Sequence, residues 1–175
     1  MRFEPSKAAF DLLRQRFKNF SNINCENIAL GSENKKATLF SNKSASGWAS
    51  LTKRRLDHFG VDFSQTEDTT VQTLDHWIMN SENSPLPNIL KMDVEGHELD
   101  VLIGAKQSLN TIDIIQFEFG GCNIDTRTFL QDFWYFLQDR NFQLFRVTPR
   151  GVRLINNYQE SDEVFSTTNY IAVRK

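Results

Sequence analysis

The chain has 175 residues, with 20 Lys and Arg against 22 Asp and Glu for a net charge of −2, and is 39% hydrophobic and 24% charged. That length suits one domain with a sizeable core, and the balance of apolar and charged residues excludes wholesale disorder. Near-neutral charge gives no electrostatic reason for a nucleic acid or anionic lipid partner. Two cysteines, Cys25 and Cys122, cannot build a disulfide framework or a four-thiolate zinc site. No apolar run approaches the roughly 18 residues of a membrane span, and no secretory h-region follows Met1. The expectation is a soluble, cytoplasmic domain without membrane contact.

Phe3-Glu4-Pro5 leads into an amphipathic stripe of Phe10, Leu13, Phe17 and Phe20, which predicts a helix with Pro5 near its first position. Ile28–Leu30, ending at Gly31, and Ala37–Phe40 are predicted strands. The polar stretch Ser41–Ser50, carrying Trp48, reads as a mobile surface loop. Asp68–Leu74 predicts a strand that runs into a helix around Asp75–Ile78. The segment from Ser84 to Asn88, with two prolines, breaks the chain before a strand from Ile89 to Asp93. Leu99, Leu102 and Ile103 predict a helix ending near Gly104, and Ile112–Phe119 a buried strand. A second Phe-rich helix over Phe129–Leu137 has Asp125 or Thr126 as candidate caps. Strands at Phe142–Val147, Val152–Ile155 and Tyr170–Val173 close the chain. The fifteen Phe read as core packing. Strand–helix alternation followed by a strand-rich end predicts an α/β sheet with an antiparallel C-terminal part.

Ligands of open α/β sheets sit outside the carboxyl ends of the strands, so polar residues just after each strand are the candidates. Glu4 qualifies, either as a helix-start carboxylate or as a partner for ribose hydroxyls. Lys91-Met92-Asp93-Val94-Glu95-Gly96-His97-Glu98 is the densest chemistry in the chain. Asp93, Glu95 and His97 suit a divalent metal, acid/base catalysis, or simply a charged strand-to-helix turn. Glu98 reads as a first-turn partner of the helix dipole. Glu118, followed by Gly120 and Gly121, is the third such place.

The run from Lys91 to Ala105 resembles the signature "lKiDvEGaElevLkGa" of the FkbM-type methyltransferases. Phe3-Glu4-Pro5-Ser6 is similar to that family's "FEPs" turn, Val71–Asp75 to its "v.tLDdf" segment, and Ile115–Glu118 to its "iifE" strand. The resemblance implies a class I S-adenosylmethionine-dependent enzyme of Rossmann-like fold, with helices on both faces of the sheet, acting on a hydroxyl of a small molecule or glycan. It implies Glu4 at the cofactor ribose, Pro5 and Ser6 near the adenine, and Asp93 and Glu95 facing the methyl-transfer site. Asp93 is then both a cofactor and a catalytic candidate, and His97 is a further base. Metal dependence is left open.

The family's first strand ends in a glycine-rich "DiGAnxG" turn, and none of the eight glycines forms one. The expectation is therefore a single domain over residues 1–175, N-terminally truncated by one βα unit, with two exposed strand edges and part of the cofactor cradle removed. Two alternatives accompany it. One is a non-catalytic remnant that binds partners or forms a homodimer through an exposed sheet edge. The other is a metal-dependent hydrolase using Asp93, Glu95 and His97.

Overall fold

The strand Arg2–Phe3 (β1) runs parallel to Cys25–Glu26 (β2) in a computed structural model that describes residues 1–81 and 86–175. Between them lies the helix Lys7–Phe17 (α1). Ala29–Leu30 (β3) is parallel to Gln65–Gln72 (β5), whose other side pairs antiparallel with Lys35–Ser41 (β4). After the helix Leu74–Asn80 (α2) come Ile89–Met92 (β6), the helix Glu98–Ile103 (α3) and Ile114–Phe119 (β7). Two helices, Gly121–Thr126 (α4) and Leu130–Gln138 (α5), then lead to Phe142–Thr148 (β8), Gly151–Leu154 (β9) and Thr168–Arg174 (β10). The largest sheet has the order β6-β7-β10-β8-β9, with β6 and β7 parallel and the remaining pairs antiparallel. The antiparallel C-terminal part is as the sequence predicts.

Alternation along these strands decides which face is the core. Leu90, Met92, Ile115, Phe117, Phe119, Leu144, Tyr170 and Ala172 are buried on one face, at the period of two that a pleated strand imposes. Helix α5 lays Leu130, Phe133 and Leu137, at i, i+3 and i+7, into the same core. Phe133 stacks on Phe117 with ring centroids 4.7 Å apart and planes 8° from parallel. Fully burying one such aromatic contributes roughly 1.5–3 kcal/mol, so this aromatic layer carries much of the fold's stability. The opposite face leaves Ile89 and Ile114 exposed.

Several elements differ from expectation. The strands expected to share one sheet form three, because β1 and β6 each end their sheet and nothing among the described residues lies paired between them. Helix α1 starts at Lys7 with Ser6 as N-cap, so Pro5 precedes the helix rather than opening it. Only Phe10 of its apolar stripe is buried, and Phe20 lies past the helix end, 54% exposed, stacked edge-on with Phe17. Asp125 and Thr126 belong to α4 and do not cap α5. Instead Asp132 accepts the N–H of Phe129 at 2.9 Å, and the distant Glu163 accepts those of Leu130 and Gln131, both at 2.9 Å. Of the expected break, Ser84 and Pro85 lie outside the described residues.

The Ser41–Ser50 loop is closed at its neck, where Phe40 and Ser50 exchange two backbone hydrogen bonds of 2.8 and 3.0 Å. Trp48, two residues before the neck, stands half exposed.

Candidate functional site

The carboxyl end of β6 runs straight into the charged segment, and Gly96 decides how. Its φ of +99° releases the chain from the strand, and a Cβ there would sit 3.0 Å from the Cys122 carbonyl oxygen. Glu95 is also left-handed at φ +54°, a conformation that strains a non-glycine residue by about 1–3 kcal/mol and persists only where surroundings enforce it. Three sets of contacts enforce this one.

The first comes from below. Glu98, 1% exposed, folds its carboxylate back onto the turn, accepting the N–H of Val94 at 2.9 Å and of Gly96 at 3.1 Å. Burial pushes its pKa up to about 7 despite these bonds. The second comes from the segment after the loop, where Ser50, Thr52 and Arg54 reach the turn. Ser50 donates its hydroxyl to the Glu95 carbonyl at 2.9 Å, and Thr52 Oγ1 meets His97 Nε2 at 3.0 Å. Arg54 donates from Nη1 to Glu95 Oε2 at 3.0 Å. The third comes from α4, where the Cys122 thiol donates to the same Oε2 at 2.9 Å. Among the described residues, Glu95 Oε1 accepts no hydrogen bond. One oxygen of this carboxylate is fixed and the other is open.

Burial raises the Glu95 pKa, and Arg54 and Cys122 oppose that rise. The Cys122 thiol is itself pushed up, first by burial and then by Glu95, which keeps it a neutral donor. Glu118 on β7 is raised by burial and by the negative charges of Asp93 and Glu95, so the three carboxylates share one neighbourhood. Asp93 is exposed at the turn, 4.0 Å from Lys91 Nζ. His97 is held at both ring nitrogens. Asp100 Oδ2 lies 2.8 Å from Nδ1, and His97 holds the Asp100 carboxyl below its usual range. With Nδ1–H donating to that carboxylate, Nε2 is the acceptor for the Thr52 hydroxyl.

Glu4 stands at the end of β1. Its Oε1 accepts the Ser6 N–H at 2.9 Å, and burial raises its pKa. Among the described residues its Oε2 accepts no hydrogen bond. Ser6 is buried, while Pro5 is half-buried and its carbonyl accepts from the Asn27 amide at 3.0 Å.

A cavity of about 250 Å³ opens beside the turn, lined in part by Ser32, Lys35, Phe40, Leu51, His97 and Asp100. A larger one of about 440 Å³ lies against β8 and β9 between Arg146, Arg153 and Asp162, and holds none of the sequence-derived residues. The structure thus brings Asp93, Glu95 and His97 onto one turn but gives each a different partner. Among the described residues no three His, Cys, Asp or Glu side chains converge as metal ligands. In the sequence Glu98 reads only as a partner of the helix dipole, and Arg54 and Cys122 are not singled out for the site. For Arg54 the sequence carries no local signal.

These geometries belong to an α/β protein with an acidic turn at the carboxyl end of a parallel strand. The profile described as the methyltransferase FkbM domain matches residues 1–144, and the chain belongs to that family. The fold is similar to the crystal structure of methyltransferase FkbM from Methylobacillus flagellatus KT, with a TM-score of 0.53 and 17% sequence identity. That similarity covers 97% of this chain and 35% of the other, so this chain spans about a third of that protein's length. No curated protein matches the chain. Among the described residues, no helix is long and apolar enough to cross a membrane.

Proposed function

We propose that the chain carries the acidic half of a class I, S-adenosylmethionine-dependent methyltransferase site that methylates a hydroxyl of a small molecule or glycan, in the cytoplasm. The observation that carries this reading is the Glu95 carboxylate, anchored through Oε2 and open at Oε1, in a strained turn after a parallel strand.

A Rossmann-like arrangement is supported by β1 and β6, each with a free edge and each with a carboxylate at its carboxyl end. When bound, S-adenosylmethionine would supply an electrophilic methyl carbon, whose bond to the sulfonium sulfur breaks as its bond to the acceptor oxygen forms, leaving a neutral thioether. The residues present fit such a cation, since Asp93, Glu95 and Glu118 make the neighbourhood negative. Glu4 fits the ribose, because its Oε2 has lone pairs to accept the two hydroxyls. The half-buried Pro5 and the buried Ser6 then form the wall beside it. Glu95 Oε1 would take the proton of the acceptor hydroxyl, and burial favours its protonated form. His97, bonded at both nitrogens, holds the 50–54 segment rather than taking the proton. Exclusion of water by the loop and alignment of the nucleophile supply the rest.

The test is transfer of tritiated methyl from S-adenosylmethionine to a panel of hydroxyl acceptors. Transfer that Glu95→Gln abolishes is the expected result. Transfer unaffected by Glu95→Gln removes Glu95 as the base.

A second reading is an assembly module that pairs copies of the chain through the outer edge of β6. It is favoured by the 65% exposure of Ile89 on that edge strand. Sedimentation of a concentrated sample as a monomer sinks it.

A further inference from the structure

We propose that Arg54 is the positioning residue of this site, aiming the Glu95 carboxylate and tying to it the two segments that flank it, 41–56 and Gly121–Thr126. The proposal rests on the reading of Glu95 as the group that takes the acceptor's proton.

Arg54 uses two edges of one guanidinium for two carboxylates on two different elements. Nη1 reaches Glu95 Oε2 at 3.0 Å on the turn, and Nε reaches Asp125 Oδ2 at 3.1 Å on α4. Its side chain is only 10% exposed, and those of Glu95 and Asp125 are 13% and 22% exposed, so the network is largely withdrawn from water. A planar fork can satisfy both partners at once, whereas a lysine ammonium at the end of a flexible stem has no such fixed geometry. Asp125 shares the guanidinium with Glu95.

The consequence is specific to Oε2. Arg54 and Cys122 both donate there, which turns the carboxylate so that Oε1 is the oxygen left open. Ser50 and Thr52, four and two residues before Arg54, bond the Glu95 carbonyl and the His97 ring. These three side chains fasten the segment 50–54 along the turn. The loop that ends at Ser50 is thereby mounted on the same residue that takes the proton. Arg54 thus ties the segment after the loop to the Glu95 carboxylate.

The charged and titratable groups facing Glu95 are Arg54 from the segment after the loop, Cys122 from α4, Asp93 from its own turn and Glu118 from β7. Of these, Arg54 alone is cationic. Its removal must therefore favour the protonated carboxyl, and the removal of Asp125 must do the opposite by releasing Arg54 to Glu95 alone.

The experiment follows the Glu95 side-chain carboxyl by carbon-13 NMR in the whole chain, assigned with Glu95→Gln. Thermal melts confirm that each variant is folded. Arg54→Gln is expected to raise the Glu95 midpoint by about one unit, a tenfold change in proton affinity. Arg54→Lys should recover part of that change, and Asp125→Asn should lower the midpoint. In transfer assays the acid limb of kcat should move with the midpoint while KM for S-adenosylmethionine stays unchanged. An unmoved midpoint in folded Arg54→Gln overturns the proposal. If that variant does not fold, an unmoved midpoint in Asp125→Asn overturns it instead. Midpoints that move as expected in a wild-type chain that transfers no methyl group uphold Arg54's hold on Glu95 and refute the methyl-transfer reading.

Discussion

Glu98 accepts the backbone N–H of Gly96 at 3.1 Å through a carboxylate that is 1% exposed. A second N–H, that of Val94, reaches the same carboxylate at 2.9 Å. This side chain from the first turn of α3 closes the left-handed turn that precedes it, so the helix and the turn stand or fall together.

Stability should therefore depend on pH through Glu98. Its folded pKa of about 7 lies above the unfolded value of 4.5, so the folded state binds the proton more tightly. The contribution is fully present below pH 4.5 and is lost as pH rises through about 7, amounting to about 3 kcal/mol across that window. Glu98→Gln should flatten this part of the stability profile, measured by urea unfolding at pH 5 and pH 8. An identical slope in the variant would assign the dependence to other carboxyls. Glu98→Ala leaves two buried N–H groups without acceptors and should cost roughly 1–3 kcal/mol at pH 8.

Gly104 should tolerate no side chain. A Cβ there would lie 2.0 Å from the Gly31 carbonyl oxygen, where the end of α3 meets the chain just after β3. Backbone cannot yield that far without shifting the helix, so Gly104→Ala should destabilise the fold by about 3 kcal/mol. A melting temperature within a degree of the parent would show that the two segments do not pack this closely.

Replacing Glu4 by Gln should weaken binding of S-adenosylmethionine about tenfold by calorimetry, the scale of one hydrogen bond to a charged acceptor. Unaltered affinity would place the ribose elsewhere. The melting temperature should change little, because only one bond of the free-standing carboxylate, to the Ser6 N–H, is structural.

Glu163 serves α5 from 32 residues away, accepting its Leu130 and Gln131 N–H groups and the Tyr158 hydroxyl at 2.9 Å each. Glu163→Ala should cost about 1 kcal/mol, the ordinary worth of an N-terminal cap. Burial and then the Glu163 hydrogen bond hold the Tyr158 phenol up at about 12, so the variant should bring it part of the way down, read by ultraviolet titration. A Tyr158 midpoint that stays put would show that Glu163 has no part in raising it.

Much of the scaffold is visible in the sequence because its signals are local. The alternation in Ile115, Phe117 and Phe119 and the spacing of Leu130, Phe133 and Leu137 are properties of a pleat and of a helical turn, and each appears in the structure as expected. The stripe of α1 was misleading for the same reason: periodicity says that a helix has an apolar face, but not how much of it a neighbouring layer covers. Phe20 remains exposed, with Phe17 against its ring. Cap assignment for α5 failed because Glu163 supplies what Asp125 and Thr126 do not.

The sequence by itself determined the family, through the uninterrupted run from Lys91 to Ala105, and placed Glu4, Asp93, Glu95 and His97 after their strands. Only the tertiary structure decided what those residues do in one another's presence. Arg54 is 41 residues from Glu95 in the chain, and Cys122 is 27, so no local pattern can register their meeting on one carboxylate oxygen. Hydrogen bonds and burial act over a few ångströms of space, whatever the separation along the chain. It is the sheet and the closed loop that convert distance in sequence into contact at Glu95.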